Sequence, residues 1–292
     1  MPLRFNWRLR RTRAEKLGAD HPHAVELLAF YGRVLELQEP LCRRAAAASW
    51  TARAAAGGRA GLDLNQFAGR EVERLFRRFA RDLQPAANAV LAPIAGRLSA
   101  FRSPAGDLLR TFLGGGSLDG LAADLGCDPS PLEFFPQAFL QPLIEAAAEK
   151  RDALDADAAA GGDDDVQAAP GFPARCPHCR RPPLVALLQD EPERRGGRYL
   201  FCSLCSTAWR FPRATCPACG ETRAEQLRYH ETDAWPHLRV EECASCRTYL
   251  KGLDLRADGL AAPVVDELAS VELDLWADEQ GLAKLQRNLF GL

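Results

Sequence analysis

The chain has 292 residues, 47% hydrophobic and 26% charged, the balance of a globular protein rather than of a disordered one. At ~150 residues per domain, that length suggests about two domains. With 37 basic against 39 acidic residues the formal charge is -2, so no chain-wide positive field exists to hold nucleic acid or an anionic membrane.

In chain order, Arg4, Arg8, Arg10, Arg11 and Arg13 come first with no apolar stretch after them. This predicts neither a secretory nor a twin-arginine signal. No run of about 18 apolar residues appears anywhere, so no membrane insertion is expected and the location reads as cytoplasmic. Residues 1–155 read as an all-helical domain. Asp20 and Pro22 resemble an N-cap and first-turn proline ahead of Val25, Leu28, Tyr31, Val34 and Leu35, a stripe at helical spacing. A second stripe runs Val72, Leu75, Phe76, Phe79 and Leu83, and closes at Gln84-Pro85. A third runs Val90, Leu91, Ile94, Leu98 and Phe101 to Ser103-Pro104, with Pro93 marking either its start or a kink. Shorter helical segments are expected at 108–113 and 139–148.

Residues 156–172 are small, acidic and glycine-rich. Such a stretch buries too little apolar surface to offset its ordering entropy, and reads as a flexible acidic linker. Two short, turn-rich modules follow, at 173–212 and 213–257, in which Tyr199-Leu200-Phe201 and Leu238-Arg239-Val240 look like strands. Residues 263–285 read as a C-terminal amphipathic helix with Val264, Leu268, Val271 and Leu275 on one face. Its opposite face carries Asp266, Glu267, Glu272, Asp274, Asp278 and Glu279. That face reads as a solvated acidic surface rather than a docking site.

Eight of the ten cysteines fall between Cys176 and Cys246, as four C-x-x-C pairs: Cys176/Cys179, Cys202/Cys205, Cys216/Cys219 and Cys243/Cys246. The first and third pairs share the form Cys-Pro-x-Cys, and the second and fourth each follow a strand-like segment. The region is therefore an internal repeat of about 40 residues. A repeat predicts that each unit closes its own site: Cys176, Cys179, Cys202 and Cys205 in one, Cys216, Cys219, Cys243 and Cys246 in the other. A C-x-x-C turn sets two thiolates on one side of a tight knuckle, and two facing knuckles supply a tetrahedral four-thiolate metal site. Zinc and iron both accept that donor set, so spacing does not choose between them. The fold class expected is α+β and multidomain: a helical domain, two rubredoxin- or zinc-ribbon-like four-cysteine metal modules, and a C-terminal helix.

Rival readings of these cysteines are weaker. A thioredoxin-type site needs one C-x-x-C at a helix start, not four on hairpins. A nucleic-acid-binding ribbon needs surplus positive charge. From Pro173 to Arg256 there are 14 basic and 10 acidic residues, and two divalent ions on eight thiolates cancel that surplus of four. With eight cysteines already sufficient, His178, His230 and His237 are not expected to be ligands. Gly114-Gly115-Gly116 lacks the lysine and spacing of a phosphate loop. Cys42 and Cys127 read as structural thiols. No nucleophile or acid–base pair stands out, so the chain is not expected to be an enzyme.

The segment RYLFCSLCSTAWRFPRATCPACGE (Arg198 to Glu221), followed by ECASCRTYLKGLDL (Glu242 to Leu255), resembles the FdhE family of formate dehydrogenase accessory proteins. VVDELASVELDLWADEQG (Val264 to Gly281) resembles the family's closing helix, and RTRAEKLGADHPHAVELLAFYGRVLELQE (Arg11 to Glu39) is a looser match to its N-terminal helix pair. Asn288-Leu289-Phe290 stands where Asn-Pro-Phe is usual. The resemblance implies a cytoplasmic, non-enzymatic chaperone that assists maturation of respiratory formate dehydrogenase. It also implies contact with the enzyme's catalytic subunit and two mononuclear iron sites on the eight cysteines, with zinc as the alternative metal. A homodimer is left open. The alternatives are a rubredoxin-like electron carrier or thiol-redox protein and, behind it, a zinc-ribbon regulator that binds nucleic acid.

Overall fold

A computed structural model describes residues 6–57, 61–100, 102–159, 172–191 and 194–292. The chain is α+β and forms two compact units: residues 1–29, 165–288 and 292 in one, residues 30–164 and 289–291 in the other. No helix among the described residues is long and apolar enough to cross a membrane. Arg4, Phe101 and residues 160–171 of the expected linker lie outside the described residues.

The helical unit comprises most of α2 (Val25–Ala47), then α3 (Ser49–Ala55), α4 (Arg70–Leu83), α5 (Leu91–Ala100), α6 (Arg102–Leu113), α7 (Asp119–Leu125) and α8 (Pro129–Ala159). The stripes read from the sequence are buried here: Val72, Phe76, Phe79 and Leu83 of α4, Ile94 and Leu98 of α5. Helix α8 continues through the first four residues of the segment read as linker. Its middle is buried nearly all round, and Phe139 meets Phe76 and Phe79 at ring-centroid distances of 5.1 and 5.7 Å. Pro142 inside α8 has no N–H to donate to the Ala138 carbonyl. Gln38 of α2 replaces that bond, its Nε2 donating to Ala138 O at 2.7 Å. Gln38→Met should therefore strand a buried carbonyl and cost about 1–3 kcal/mol in urea denaturation.

The other unit is built on one sheet. Its strands are β1 (Pro183–Glu191), β2 (Arg194–Cys202), β3 (Ala208–Arg210), β4 (Leu227–Glu231), β5 (Leu238–Cys243), β6 (Thr248–Asp254) and the short β7 (Ala283–Lys284). The order is β3-β2-β1-β6-β5-β4, with β7 beside β6. Each cysteine repeat supplies three antiparallel strands. The repeats join where β1 runs parallel to β6, Val185 opposite Lys251 through Leu188 opposite Asp254. The two modules thus share a single sheet.

Helices α1 (Trp7–Asp20), α9 (Pro263–Ala269) and α10 (Val271–Glu279) complete this unit. The first 29 residues group with the cysteine repeats, unlike the expected division at 155, because α1 packs on α9 and buries Trp7, Ala14 and Leu17. Asp20 is the last residue of α1 rather than an N-cap. The expected helix over 263–285 breaks at Ser270, whose hydroxyl turns back to donate to the Asp266 carbonyl at 2.8 Å. It ends at Glu279, and Leu275 points outward.

The acidic face is the larger correction. Asp266 and Glu267 are fully buried and Asp274 nearly so. Arg13 of α1 donates from Nε to both Asp266 oxygens at 3.1 Å. Lys251 of β6, itself 0% exposed, lies 3.4 Å from Glu267 and 2.8 Å from Asp274. Lys284 of β7 pairs with the same two carboxylates. These acids fix the helices to the sheet through buried charges that are paired, which offsets much of the cost of removing them from water.

A second buried cluster lies within the sheet. Arg198 of β2 donates to Glu241 of β5 at 2.6 Å, and Arg239 donates to the other Glu241 oxygen at 2.7 Å. Burial pushes the Glu241 carboxyl up, but the two guanidiniums outweigh it and hold the group below the usual range. A depressed folded pKa stabilises fully above the unfolded value of about 4.3 and is lost as pH falls through the folded one. The stability gap between wild type and Glu241→Gln should therefore be constant near neutrality and narrow below about pH 4. Chemical denaturation at stepped pH measures it.

Candidate metal centres

All four knuckles are built alike. In the first, Arg180 N–H donates to Cys176 O at 3.0 Å and Cys176 N–H to Arg181 O at 2.9 Å. In the third, Gly220 N–H donates to Cys216 O at 3.0 Å and Cys216 N–H to Glu221 O at 2.8 Å. Each turn places the residue after its second cysteine in the left-handed region: Arg180 at φ 61°, Ser206 at 55°, Gly220 at 81° and Arg247 at 57°. Arg180, Ser206 and Arg247 are the non-glycine residues with positive φ among the described residues. A non-glycine residue there costs about 1–2 kcal/mol, so three such positions at equivalent places mark a backbone shaped for its sulfurs.

The knuckles converge as the repeat predicts. Cys176, Cys179, Cys202 and Cys205 form one group and Cys216, Cys219, Cys243 and Cys246 another, the sulfurs of each lying within 4.8 Å of one another. Sγ–Sγ distances are 3.4 Å for Cys176–Cys205 and 3.3 Å for Cys179–Cys202. In the second group they are 3.8 Å for Cys216–Cys246 and 3.7 Å for Cys219–Cys243. These separations are far beyond a disulfide's ~2.05 Å. They approach the ~3.8 Å between sulfurs on a tetrahedral ion with metal–sulfur bonds of about 2.3 Å.

The donor set also fits a metal electrostatically. Burial pushes the Cys179 and Cys202 thiols well above their ordinary range and raises Cys216 too, whereas at Cys176 and Cys246 hydrogen bonds outweigh burial and hold the thiol lower. Four crowded thiols resist ionising together unless a cation compensates them. Backbone N–H groups supply part of that compensation: Leu204 and Cys205 each donate to Cys202 Sγ at 3.4 Å, and Ala218 donates to Cys216 Sγ at 3.4 Å. No knuckle starts a helix, the placement that activates a thioredoxin-type cysteine.

The two groups differ in access. All four cysteines of the first are buried, whereas Cys219 is exposed and Cys246 half-exposed in the second.

The comparisons with known proteins follow this geometry closely. Residues 175–213 match the model of the FdhE central domain, and residues 214–290 match that of the FdhE C-terminal domain. Residues 175–290 are thus similar to both FdhE domains. The two FdhE domains meet between residues 213 and 214, in the loop that separates the cysteine repeats. The chain is 34% identical over 166 residues to "Protein FdhE homolog" of Aquifex aeolicus, which covers 57% of this chain and 54% of that protein. It is 36% identical over 125 residues to the Pseudomonas putida FdhE homolog, covering 41% of this chain and 39% of that one. The chain thus spans about half the length, or less, of these relatives. The crystal structure of the FdhE protein from Pseudomonas aeruginosa superposes with a TM-score of 0.66 over 97% of this chain and 94% of that one, at 23% identity. That likeness shows a shared fold across both units of the chain.

His178, His230, His237, Cys42 and Cys127 lie outside the two four-cysteine groups. His237 lies 2.7 Å from Asp266, and His230 lies 2.7 Å from Glu242.

Proposed function

We propose that the chain is a non-catalytic accessory factor of the cytoplasm that binds the catalytic subunit of a formate dehydrogenase and carries iron on its two four-cysteine groups. The observation that supports this reading is the coincidence of the two thiol groups with the two FdhE domains. Cys176, Cys179, Cys202 and Cys205 would hold one ion; Cys216, Cys219, Cys243 and Cys246 would hold the other. Iron bound there supplies a one-electron couple; zinc would supply structure alone.

The protein's own residues do the rest. The knuckle N–H groups bias the sulfurs toward thiolate, and the left-handed turns aim them inward. The shared sheet carries both groups on one element. A rubredoxin-like carrier is the second reading, favoured by the exposure of Cys219, since electron transfer needs a ligand near the surface.

Deleting the gene tests the choice. The accessory reading expects formate dehydrogenase activity to fall, and to return with the wild-type gene but not with Cys176→Ser/Cys179→Ser. Unchanged activity after deletion would leave the carrier reading standing.

A further inference from the structure

We infer that His21, His23 and Glu272 form a third, open binding site for a divalent transition metal, distinct from the eight cysteines. A ring nitrogen of each histidine and a carboxylate oxygen of Glu272 lie within 4.8 Å of one another. Two imidazoles and one carboxylate are a donor set suited to zinc, cobalt or nickel, and three protein ligands leave at least one position for solvent or an incoming donor.

Local sequence explains the convergence. His21 terminates α1 and Pro22 opens a single 3₁₀ turn, Pro22–Ala24, so the two rings are thrown together at 5.8 Å between centroids. Glu272 enters from the first turn of α10.

The surroundings hold these groups in place as outer-shell partners hold metal ligands. The ring of Trp235, 1% exposed, stacks on His21 at 3.9 Å between centroids and 11° between planes. Its Nε1–H donates to Glu272 Oε1 at 2.5 Å, which fixes the carboxylate and turns Oε2 toward the histidines. Oε2 is screened from solvent. It lies 2.8 Å from His23 Nε2, which also lies 3.1 Å from the Ala269 carbonyl, so one ring nitrogen faces two oxygens. One imidazole nitrogen does not fully satisfy two oxygens, and a cation among the three side chains would meet the carboxylate directly. Binding the ion would exchange the His23–Ala269 hydrogen bond for a coordinate bond. His23 is 41% exposed, so the site is reached from solvent.

The test uses full-length protein with its cysteine-bound metal in place, titrated with cobalt(II). Cobalt on nitrogen and oxygen ligands gives visible d–d bands without the near-ultraviolet sulfur-to-cobalt band that marks a thiolate site. One further equivalent with that signature is expected, together with quenching of tryptophan fluorescence. His23→Ala and Glu272→Gln should each abolish this equivalent and leave the cysteine-bound metal unchanged. Trp235→Phe should weaken it about tenfold or more. Absence of an extra equivalent, its persistence in both ligand variants, or cobalt uptake accompanied only by the thiolate band would overturn the assignment.

Discussion

Replacing both Cys176 and Cys179 by serine should release at least one metal equivalent and unfold the sheet. A structural four-thiolate ion contributes about 10–16 kcal/mol of folding free energy, comparable to or above the ~5–15 kcal/mol net stability of a whole domain. One apolar cluster of the first repeat is small, Ala174, Ala186, Leu200 and Phe211 with the neighbouring Leu250, so the ion's share of its stability is large. The loss should spread, because β1 of the first repeat pairs with β6 of the second, which follows directly on Cys246. Affinity for the second ion should therefore fall as well. Helices α3–α8 belong to the other compact unit and should keep their circular dichroism. An intact sheet with only one ion missing would show that the metal adds little folding energy. Simultaneous loss of all helical signal would show that the two units fold as one.

Lys251→Met should be the costliest substitution away from the cysteines. Lys251 Nζ donates to the carbonyls of Glu267 and Ser270 at 2.8 and 3.0 Å, besides pairing with Glu267 and Asp274. Two buried cations, Lys251 and Lys284, face two buried carboxylates; removing one leaves an uncompensated negative charge away from water. Breaking a buried pair on one side costs about 3–5 kcal/mol. The denaturant midpoint should fall with little change in slope, and adding Asp274→Asn should recover part of the loss by restoring neutrality. A shift below about 1 kcal/mol would mean the charges are solvated like surface pairs.

These two predictions rest on features of unequal legibility. The cysteine groups were readable because each knuckle is local: four residues fix two sulfurs, and a repeated order assigns partners without long-range information. The strands around Leu200 and Val240 were readable for the same reason. The parallel pairing of β1 with β6 was not, because it joins residues more than 60 positions apart and leaves no local mark. The acidic face of α9 and α10 shows the limit of periodicity. A helical stripe shows that Asp266, Glu267 and Asp274 share a side, but not that Arg13, Lys251 and Lys284 meet them there. The available signal was a lone lysine in the apolar run Tyr249-Leu250-Lys251-Gly252-Leu253, a position where a solvated cation has no place. The grouping of His21 and His23 with Glu272 was equally hidden, since it depends on α1 packing beside the C-terminal helices.

The proposed role is that of an iron-bearing, non-catalytic partner that holds a formate dehydrogenase catalytic subunit. Co-purification on a tagged copy under anaerobic conditions, with metal analysis of the eluate, tests it most directly. The expected result is the catalytic subunit on the tag, two irons per chain with ferric-thiolate absorption on oxidation, and loss of the partner with Cys176→Ser/Cys179→Ser. A colourless protein carrying zinc, eluting without the catalytic subunit, would contradict it.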